Sequence, residues 1–97
     1  MAYSIVYTLC SDGFGFDAKC YGKNIGKITF ARIGPNKFII DHTAVITEYQ
    51  HMQVGLNLVR QVADLARKQN RKIFPLCPFA RAMFNRYAEF NDVRISH

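Results

Sequence analysis

The sequence has few of the features that mark secreted, metal-binding or membrane-spanning chains. Its 97 residues contain three cysteines, Cys10, Cys20 and Cys77, with no C-x-x-C pair. An odd, scattered set fits neither a disulfide framework nor a zinc site, and reduced thiols are typical of the cytoplasm. No basic segment precedes an apolar one at the N-terminus, and no stretch approaches the roughly 20 apolar residues that span a bilayer. We therefore expect a cytoplasmic protein with no metal site and no membrane association.

Basic charge is present, but it is not concentrated. Thirteen Lys and Arg against seven Asp and Glu give a net charge of +6, which favours anionic partners such as nucleic acid, anionic lipid or a phosphorylated cofactor. No run of five basic residues and no basic, aromatic strand motif occurs, so nucleic-acid binding is the weakest of these interpretations. With 49% hydrophobic residues and no repeat or linker, residues 1–97 are predicted to form one domain.

Turn residues divide the first half of the chain into four short β-rich segments. The segments span 4–10, 14–22, 26–34 and 37–46. Because their connections are short, we predict that neighbouring strands pair antiparallel. In the fourth segment, alternation predicts that His42 shares a face with Phe38 and Ile40, while Asp41 and Thr43 take the other face. Since apolar residues occupy both faces, this strand is predicted to be covered on both sides.

The hydrophobic period then changes from that of a strand to that of a helix. From Met52 to about Asn70, apolar residues recur at helical spacing along one side of an amphipathic helix. A short strand at 71–77 and a second helix at 78–90 follow. The first helix is long enough to be a crossover, which makes the strands on either side of it parallel. The predicted fold is α+β, with a mixed, twisted sheet of antiparallel hairpins plus a parallel central pair, and two main helices.

The stretch "KIFPLCPFA" places Cys77 between Pro75 and Pro78. Proline has no N–H group, so Pro75 belongs at a sheet edge or where the ladder opens, whereas Pro78 suits the first turn of a helix. Cys77 is thus predicted to lie where a strand stops pairing and a helix begins. A thiol at a helix N-terminus is favoured as thiolate. The alternative is a small buried apolar residue.

Three further features could carry chemistry, and each also has a plainer interpretation. The turn at 50–55 offers helix N–H groups that attract phosphates, or it is a polar cap. His42 accepts a proton if it approaches Cys77, or it is a core histidine bonded to a backbone carbonyl. Tyr87 protonates a leaving thiolate, or it is a core residue with its hydroxyl at the surface. No two of His42, His51 and Cys77 have the spacing of metal ligands, so no metal site is predicted.

Two stretches, "HTAVITEYQHMQVGLNLV" and "ARKQNRKIFPLCPFA", resemble the smallest branch of the GNAT superfamily, the acetyl-CoA-dependent N-acyltransferases. The resemblance runs from about Phe14 to Phe90, and "PLCPF" is its most specific element. In the superfamily a turn of the form Q/R-x-x-G-x-G/A holds the pyrophosphate of coenzyme A. Gln50 and Gly55 match this form here, and Gln53 stands where the middle glycine is expected.

The last helix departs from the pattern of this branch as well. Met83 occupies the place of a tyrosine that the branch often carries, and Tyr87 lies one turn later. The resemblance implies a GNAT-like sheet whose central parallel strands splay apart, with the pantetheine arm in the gap and the thioester near Cys77 and His42. It implies backbone N–H groups near Val45 that polarise the acyl carbonyl.

The resemblance therefore implies acetyl-CoA as the cofactor and an unidentified small-molecule or protein amine as the acceptor, with the oligomeric state open. The catalytic candidates are Cys77, as transient acyl acceptor or pocket wall, His42 as base, and Tyr87. The cofactor-binding candidates are Thr43, Val45, Ile46, Gln50, His51, Met52, Gln53, Val54, Gly55, Leu56 and Pro78. The competing interpretation is a non-catalytic module that binds coenzyme A or has a regulatory role.

Overall fold

The computed structural model describes residues 4–95, which form a five-stranded sheet in the order β1-β2-β3-β4-β5. The strands are β1 Ile5–Leu9, β2 Gly15–Cys20, β3 Lys23–Ile33, β4 Lys37–Val45 and β5 Lys72–Pro75. The helices are α1 Val54–Gln69 and α2 Pro78–Arg86, with short 3-10 segments at Thr47–Met52 and Ala88–Phe90. The first four strands pair antiparallel and β5 pairs parallel with β4. The predicted α+β fold, a mixed sheet with two main helices, is confirmed.

Several predicted boundaries move by two to four residues. Tyr21 and Gly22 alone form the turn between β2 and β3, both with left-handed backbone (φ 50° and 82°), which is typical of a two-residue hairpin turn. β3 therefore begins at Lys23. The helix α1 begins at 54 rather than 52, because Gln53 is also left-handed (φ 59°) and separates α1 from the 3-10 segment before it. The helix α2 ends at Arg86 rather than 90.

The core lies between the helices and one face of the sheet. Large side chains such as Phe30, Phe38, Leu58, Phe84 and Phe90 are at most 2% exposed. Each contributes about 1.5–3 kcal/mol relative to an exposed position. No helix among residues 4–95 is both long and apolar enough to cross a membrane.

A bulge at Asp41 divides β4 into two halves. His42 pairs with Thr29, but Ile40 pairs with Phe30, the next residue of β3, so that Asp41 has no cross-strand partner. The Asp41 carboxylate accepts a hydrogen bond from the Thr29 hydroxyl at 2.5 Å. One extra residue on one strand reverses the faces that its later residues occupy.

The side chains in the second half of β4 therefore lie on the faces opposite to the predicted ones. Thr43 is opposite the buried Ile28, and Val45 is opposite Gly26, which faces the side chains of α1. Residues directly opposite each other share a face, so Thr43 and Val45 lie on the side of the helices. The predicted placement of His42 on the face of the core residues is wrong, because His42 follows the bulge and lies on the other face, where it is exposed.

The predicted cover on both faces of β4 is also wrong. Asp41, His42 and Ala44 on the second face are exposed, and Lys27 on the neighbouring strand is exposed as well. On this open face, burial and then the charge of Asp17 raise the pKa of the Cys10 thiol, which keeps that thiol protonated at neutral pH.

The strands β4 and β5 part after four residue pairs, the last of which joins Ile40 to Pro75. The Ile40 carbonyl then accepts the N–H groups of Leu76 at 3.1 Å and Cys77 at 2.9 Å. Beyond this point β4 continues to Val45, and within residues 4–95 no strand pairs with it on that side. β5 ends at Pro75, two residues before its predicted end at Cys77, and the missing N–H of Pro75 fits the point where the ladder opens.

Candidate active site

A cavity of about 570 Å³ lies beyond the point where β4 and β5 part. Its walls are the second half of β4, the first turn of α1 with the 3-10 segment before it, and one side of α2. Seven of the cofactor-binding candidates line it: Thr43, Val45, Gln50, His51, Gln53, Gly55 and Leu56. A cavity of this volume falls within the range of small-molecule and cofactor sites.

The first turn of α1 opens onto this cavity. The N–H groups of Val54, Gly55 and Leu56 have no acceptor within their own helix, and no side chain caps them. The helix dipole adds partial positive charge at this end, so that the turn attracts an anion. The first hydrogen bond of the helix runs from the Asn57 N–H to the Gln53 carbonyl at 2.9 Å.

Gly55 allows α1 and α2 to approach each other closely. A Cβ atom at this position would lie 2.6 Å from the Phe79 ring, which is closer than such contacts normally occur. The backbone of Gly55 is helical, so the glycine is required by the space beside it rather than by an unusual φ angle.

The two glutamines of the turn have different roles. The Gln50 side chain donates a hydrogen bond from Nε2 to the Val45 carbonyl at 3.2 Å, which ties the turn to the end of β4. Gln53 stands where the resemblance expects a glycine, yet its backbone is left-handed, with φ 59° and ψ 25°. Glycine adopts this conformation readily and other residues at a cost of about 1–2 kcal/mol. The turn therefore follows a backbone path suited to glycine although its side chain is a glutamine.

Cys77 lies beneath the cavity, as the residue that precedes α2. It is only 6% exposed, and its thiol donates a weak hydrogen bond to the Thr43 hydroxyl, with Sγ 3.6 Å from Oγ1. Thr43 lines the cavity, whereas Cys77 does not. The thiol is thus separated from the cavity by one side chain, at the position where β4 and β5 have just parted.

The structure does not bring His42 to Cys77. Thr43 contacts the thiol, and His42, its neighbour in an extended strand, directs its side chain to the opposite face. The expected approach of these two residues is wrong, and its physical cause is the bulge at Asp41. His42 does not line the cavity.

Tyr87 and Met83 both line the cavity, so the place where the resemblance expects a tyrosine faces the site. Four cofactor-binding candidates lie outside it. Val54 is fully buried, Met52 packs against the core, Pro78 is exposed at the start of α2, and Ile46 borders a smaller hollow.

Three residues that are not among the candidates predicted from the sequence also line the cavity: Phe79, Met83 and Arg86. They recur on α2 at spacings of four and three residues, which places them on one side of the helix. That spacing was visible in the sequence, but the same pattern also fits a core-facing helix. Within residues 4–95 no three His, Cys, Asp or Glu side chains are grouped closely enough to hold a metal ion.

The fold and the parted strands define a domain of the GNAT acetyltransferase class, as solved structures show. A GCN5-like protein from Staphylococcus aureus has 27% sequence identity and a TM-score of 0.76. The match covers 95% of this chain and 89% of the Staphylococcus aureus chain. Ard1 from Thermoplasma volcanium matches at 23% identity and a TM-score of 0.58 over 63% of this chain, which spans 41% of Ard1. The third structure is N-acetylglutamate synthase from Neisseria gonorrhoeae, solved with coenzyme A and N-acetyl-glutamate. Its sequence identity is 16% and its TM-score is 0.60, and the match covers 73% of this chain and 19% of the synthase.

The family model of the GCN5-related N-acetyl-transferases matches residues 14–93. The chain belongs to this family, so it is an acetyltransferase-type domain, as the resemblance implied. None of the curated proteins gave a match.

Proposed function

We propose that the chain binds acetyl-CoA in the cavity and transfers the acetyl group to an amine of a small molecule or a protein. The observation that carries this proposal is the parting of β4 and β5 after Ile40 and Pro75, directly beside the uncapped first turn of α1. Family membership supports it. The net charge of +6 also favours an anionic cofactor.

The residues present fit coenzyme A. The first turn of α1, at 54–56, supplies N–H groups for the pyrophosphate, and Gly55 leaves space that a Cβ would fill. The edge of β4 from Asp41 to Val45 leaves backbone groups for the amide groups of the pantetheine arm, as an added strand would use them. When bound, acetyl-CoA supplies the acyl group as a thioester.

The candidate catalytic residues lie on two sides of the sheet. Tyr87 lines the cavity, where its hydroxyl can donate a proton to a leaving thiolate. His42 lies on the open face, so it acts as the base only if the acceptor amine approaches from that face. Backbone N–H groups near Val45 polarise the acyl carbonyl. Free thiols at Cys10, Cys20 and Cys77 fit a cytoplasmic location.

Two measurements test the proposal. Acetyl-CoA should raise the unfolding temperature of the protein, because a ligand at 100 times its Kd adds about 2.7 kcal/mol to the free energy of unfolding. A panel of amines should then release free coenzyme A thiol in the presence of the protein. Absence of the thermal shift contradicts cofactor binding. A shift without turnover for any amine favours a non-catalytic coenzyme A module, for which the glutamine at position 53 is the supporting observation.

Cys77 is either a transient acyl acceptor or a wall of the acyl pocket, and labelling separates the two. We expect radiolabelled acetyl-CoA to leave no more label on the wild type than on Cys77→Ala, because the thiol is buried and bonded to Thr43. The matched control is Cys10→Ala, which removes a thiol on the open face. Label that is lost only in Cys77→Ala would instead establish the covalent role.

A further inference from the structure

Gln53 is one of three residues other than glycine that have a left-handed backbone within residues 4–95, and the others are Tyr21 and Asn70. Each of these two has a role in folding that accounts for its conformation. Tyr21 forms a two-residue hairpin turn with Gly22, and such turns require a positive φ at both residues. Asn70 ends α1, where its N–H group bonds carbonyls of the last turn, and asparagine visits this conformation more readily than most residues.

No contact within the folded chain accounts for the side chain of Gln53. It is exposed, it does not cap α1, and it has no hydrogen-bond partner among the residues that the structure describes. The neighbouring Gln50, by contrast, uses its amide to bond the Val45 carbonyl. Glycine would adopt the same backbone at position 53 without the cost of a Cβ. The glutamine side chain is therefore explained best by a group outside the protein.

The Gln53 amide lies beside the first turn of α1. Gln53 lines the cavity and directly precedes this turn. A side chain at such a position lies next to the free N–H groups of the turn, which is why shorter polar residues cap helices from it. The amide adds two N–H donors, and no Asp or Glu is among the described residues that line the cavity. An anion at the turn would therefore meet donors from the backbone and from this side chain.

This argument rests on the proposed function, in which the first turn of α1 binds the pyrophosphate of coenzyme A. We propose that the Gln53 side-chain amide donates a hydrogen bond to that pyrophosphate. The glutamine thereby replaces, with a donor of its own, the closer backbone approach that a glycine would allow. A hydrogen bond to a charged phosphate is stronger than one between neutral groups, so it offsets the cost of the left-handed backbone.

The proposal predicts opposite effects of the Gln53→Gly substitution on folding and on binding. The unfolding temperature of the ligand-free protein should rise by a few degrees, because the substitution removes a Cβ from a left-handed position. The affinity for coenzyme A should fall by about tenfold, because the substitution also removes the donor. If the glutamine only crowded the cofactor, glycine would raise both quantities. Thermal unfolding without ligand and calorimetry with coenzyme A measure them separately.

Three further variants separate the donor from the size of the side chain. Gln53→Met keeps a similar length but has no N–H donor, so it should also lose about tenfold in affinity. Gln53→Lys should bind coenzyme A at least as tightly as the wild type, and Gln53→Glu should bind it more weakly than Gln53→Met, because the charge acts strongly only beside the phosphates. The matched control is Asn70→Gly, a left-handed position at the other end of α1 and outside the cavity, which should leave the affinity unchanged.

Three results would overturn the assignment while leaving coenzyme A binding intact. The first is a Gln53→Met variant that binds coenzyme A as tightly as the wild type. The second is a Gln53→Gly variant that gains affinity, since a crowding Cβ would explain that gain. The third is equal affinity of the Gln53→Lys and Gln53→Glu variants. If the wild type does not bind coenzyme A, the proposed function fails, and this assignment fails with it.

Discussion

At the scale of single residues, Gly55 has no Cβ atom, and this absence lets α1 and α2 lie in contact beside the cavity. The Phe79 ring occupies the space that a Cβ at position 55 would take. Phe79 is 39% exposed, so its ring has room to move if it is displaced. The glycine therefore matters more for the shape of the cavity than for folding.

We predict that Gly55→Ala weakens acetyl-CoA binding by at least tenfold with little change in stability. The new methyl group displaces the Phe79 ring, whereas the higher helix propensity of alanine, about 1 kcal/mol, offsets the cost to folding. Calorimetry and thermal unfolding measure the two effects separately. The double variant Gly55→Ala, Phe79→Leu should regain affinity because the smaller side chain relieves the contact. Unchanged affinity in the single variant would contradict this account.

The position of Cys77 could be predicted from the sequence, whereas its contact could not. Pro75 and Pro78 mark the end of a strand and the start of a helix by their missing N–H groups, and the structure has both boundaries there. The contact of Cys77 with Thr43 depends on which face of β4 carries Thr43, and the bulge at Asp41, where β4 pairs with β3, decides that face.

At the scale of elements, the bulge in β4 sets the limit of prediction from alternation. Phe38, Ile40 and Asp41 lie on the predicted faces, and every residue of the strand after Asp41 lies on the face opposite to its predicted one. A strict period of two cannot reveal an unpaired residue, because the missing partner of Asp41 belongs to β3. The predicted order of strands and helices did not depend on this detail, so the fold was predicted correctly while the position of His42 was not.

The segment that follows α2 is joined to α1 by two arginine–carboxylate pairs. Arg67 bonds Asp92 at 2.8 Å, and Arg60 bonds Glu89 at 2.9 Å. The hydrogen bond from Arg67 holds the pKa of Asp92 below its ordinary value of 3.8, and that from Arg60 holds the pKa of Glu89 below 4.5. Because the pKa of the carboxylate is lower in the folded state, the pair stabilises the protein fully at a pH above the ordinary pKa. This stabilisation is lost as the pH falls through the pKa of the folded state.

We predict that Asp92→Asn lowers the free energy of unfolding by up to about 1 kcal/mol at neutral pH, the range of exposed ion pairs. The difference from the wild type should shrink as the pH falls below 3.8. Urea unfolding at neutral and acidic pH measures both quantities. Glu48→Gln, which removes an exposed carboxylate at the first turn of the 3-10 segment, is the control and should be nearly neutral. A constant difference at all pH values would show that the charge of Asp92 is not responsible.

At the scale of the whole molecule, the chain matches most of one solved structure but only part of the length of others. It corresponds to 89% of the Staphylococcus aureus protein but to 41% of Ard1 and 19% of the N-acetylglutamate synthase. The buried residues of the chain form one core. The free energy of unfolding of such domains is about 5–15 kcal/mol. The cofactor is therefore expected to contribute a substantial part of the total stability.

We predict that Leu58→Ala lowers the free energy of unfolding by about 2–5 kcal/mol. Leu58 is fully buried, and the much smaller alanine side chain would leave a cavity in the core. Saturating acetyl-CoA should add the same increment to the variant as to the wild type, since Leu58 does not line the site. Urea unfolding with and without the cofactor measures this increment. Leu9→Ala, at a position that is 49% exposed, serves as the matched control and should have a small effect. A much smaller increment in the core variant would show that the core and the site are coupled.

The parting of β4 and β5 has a consequence for the order in which reactants meet. A split in a sheet whose second face is uncovered is accessible from both faces, one carrying the helices and the other carrying His42 and Asp41. In the proposed reaction, the donor occupies the helical side, and the acceptor reaches the same carbon from the reverse side. The two reactants then have separate routes and do not compete for space, so a ternary complex can form before either product departs.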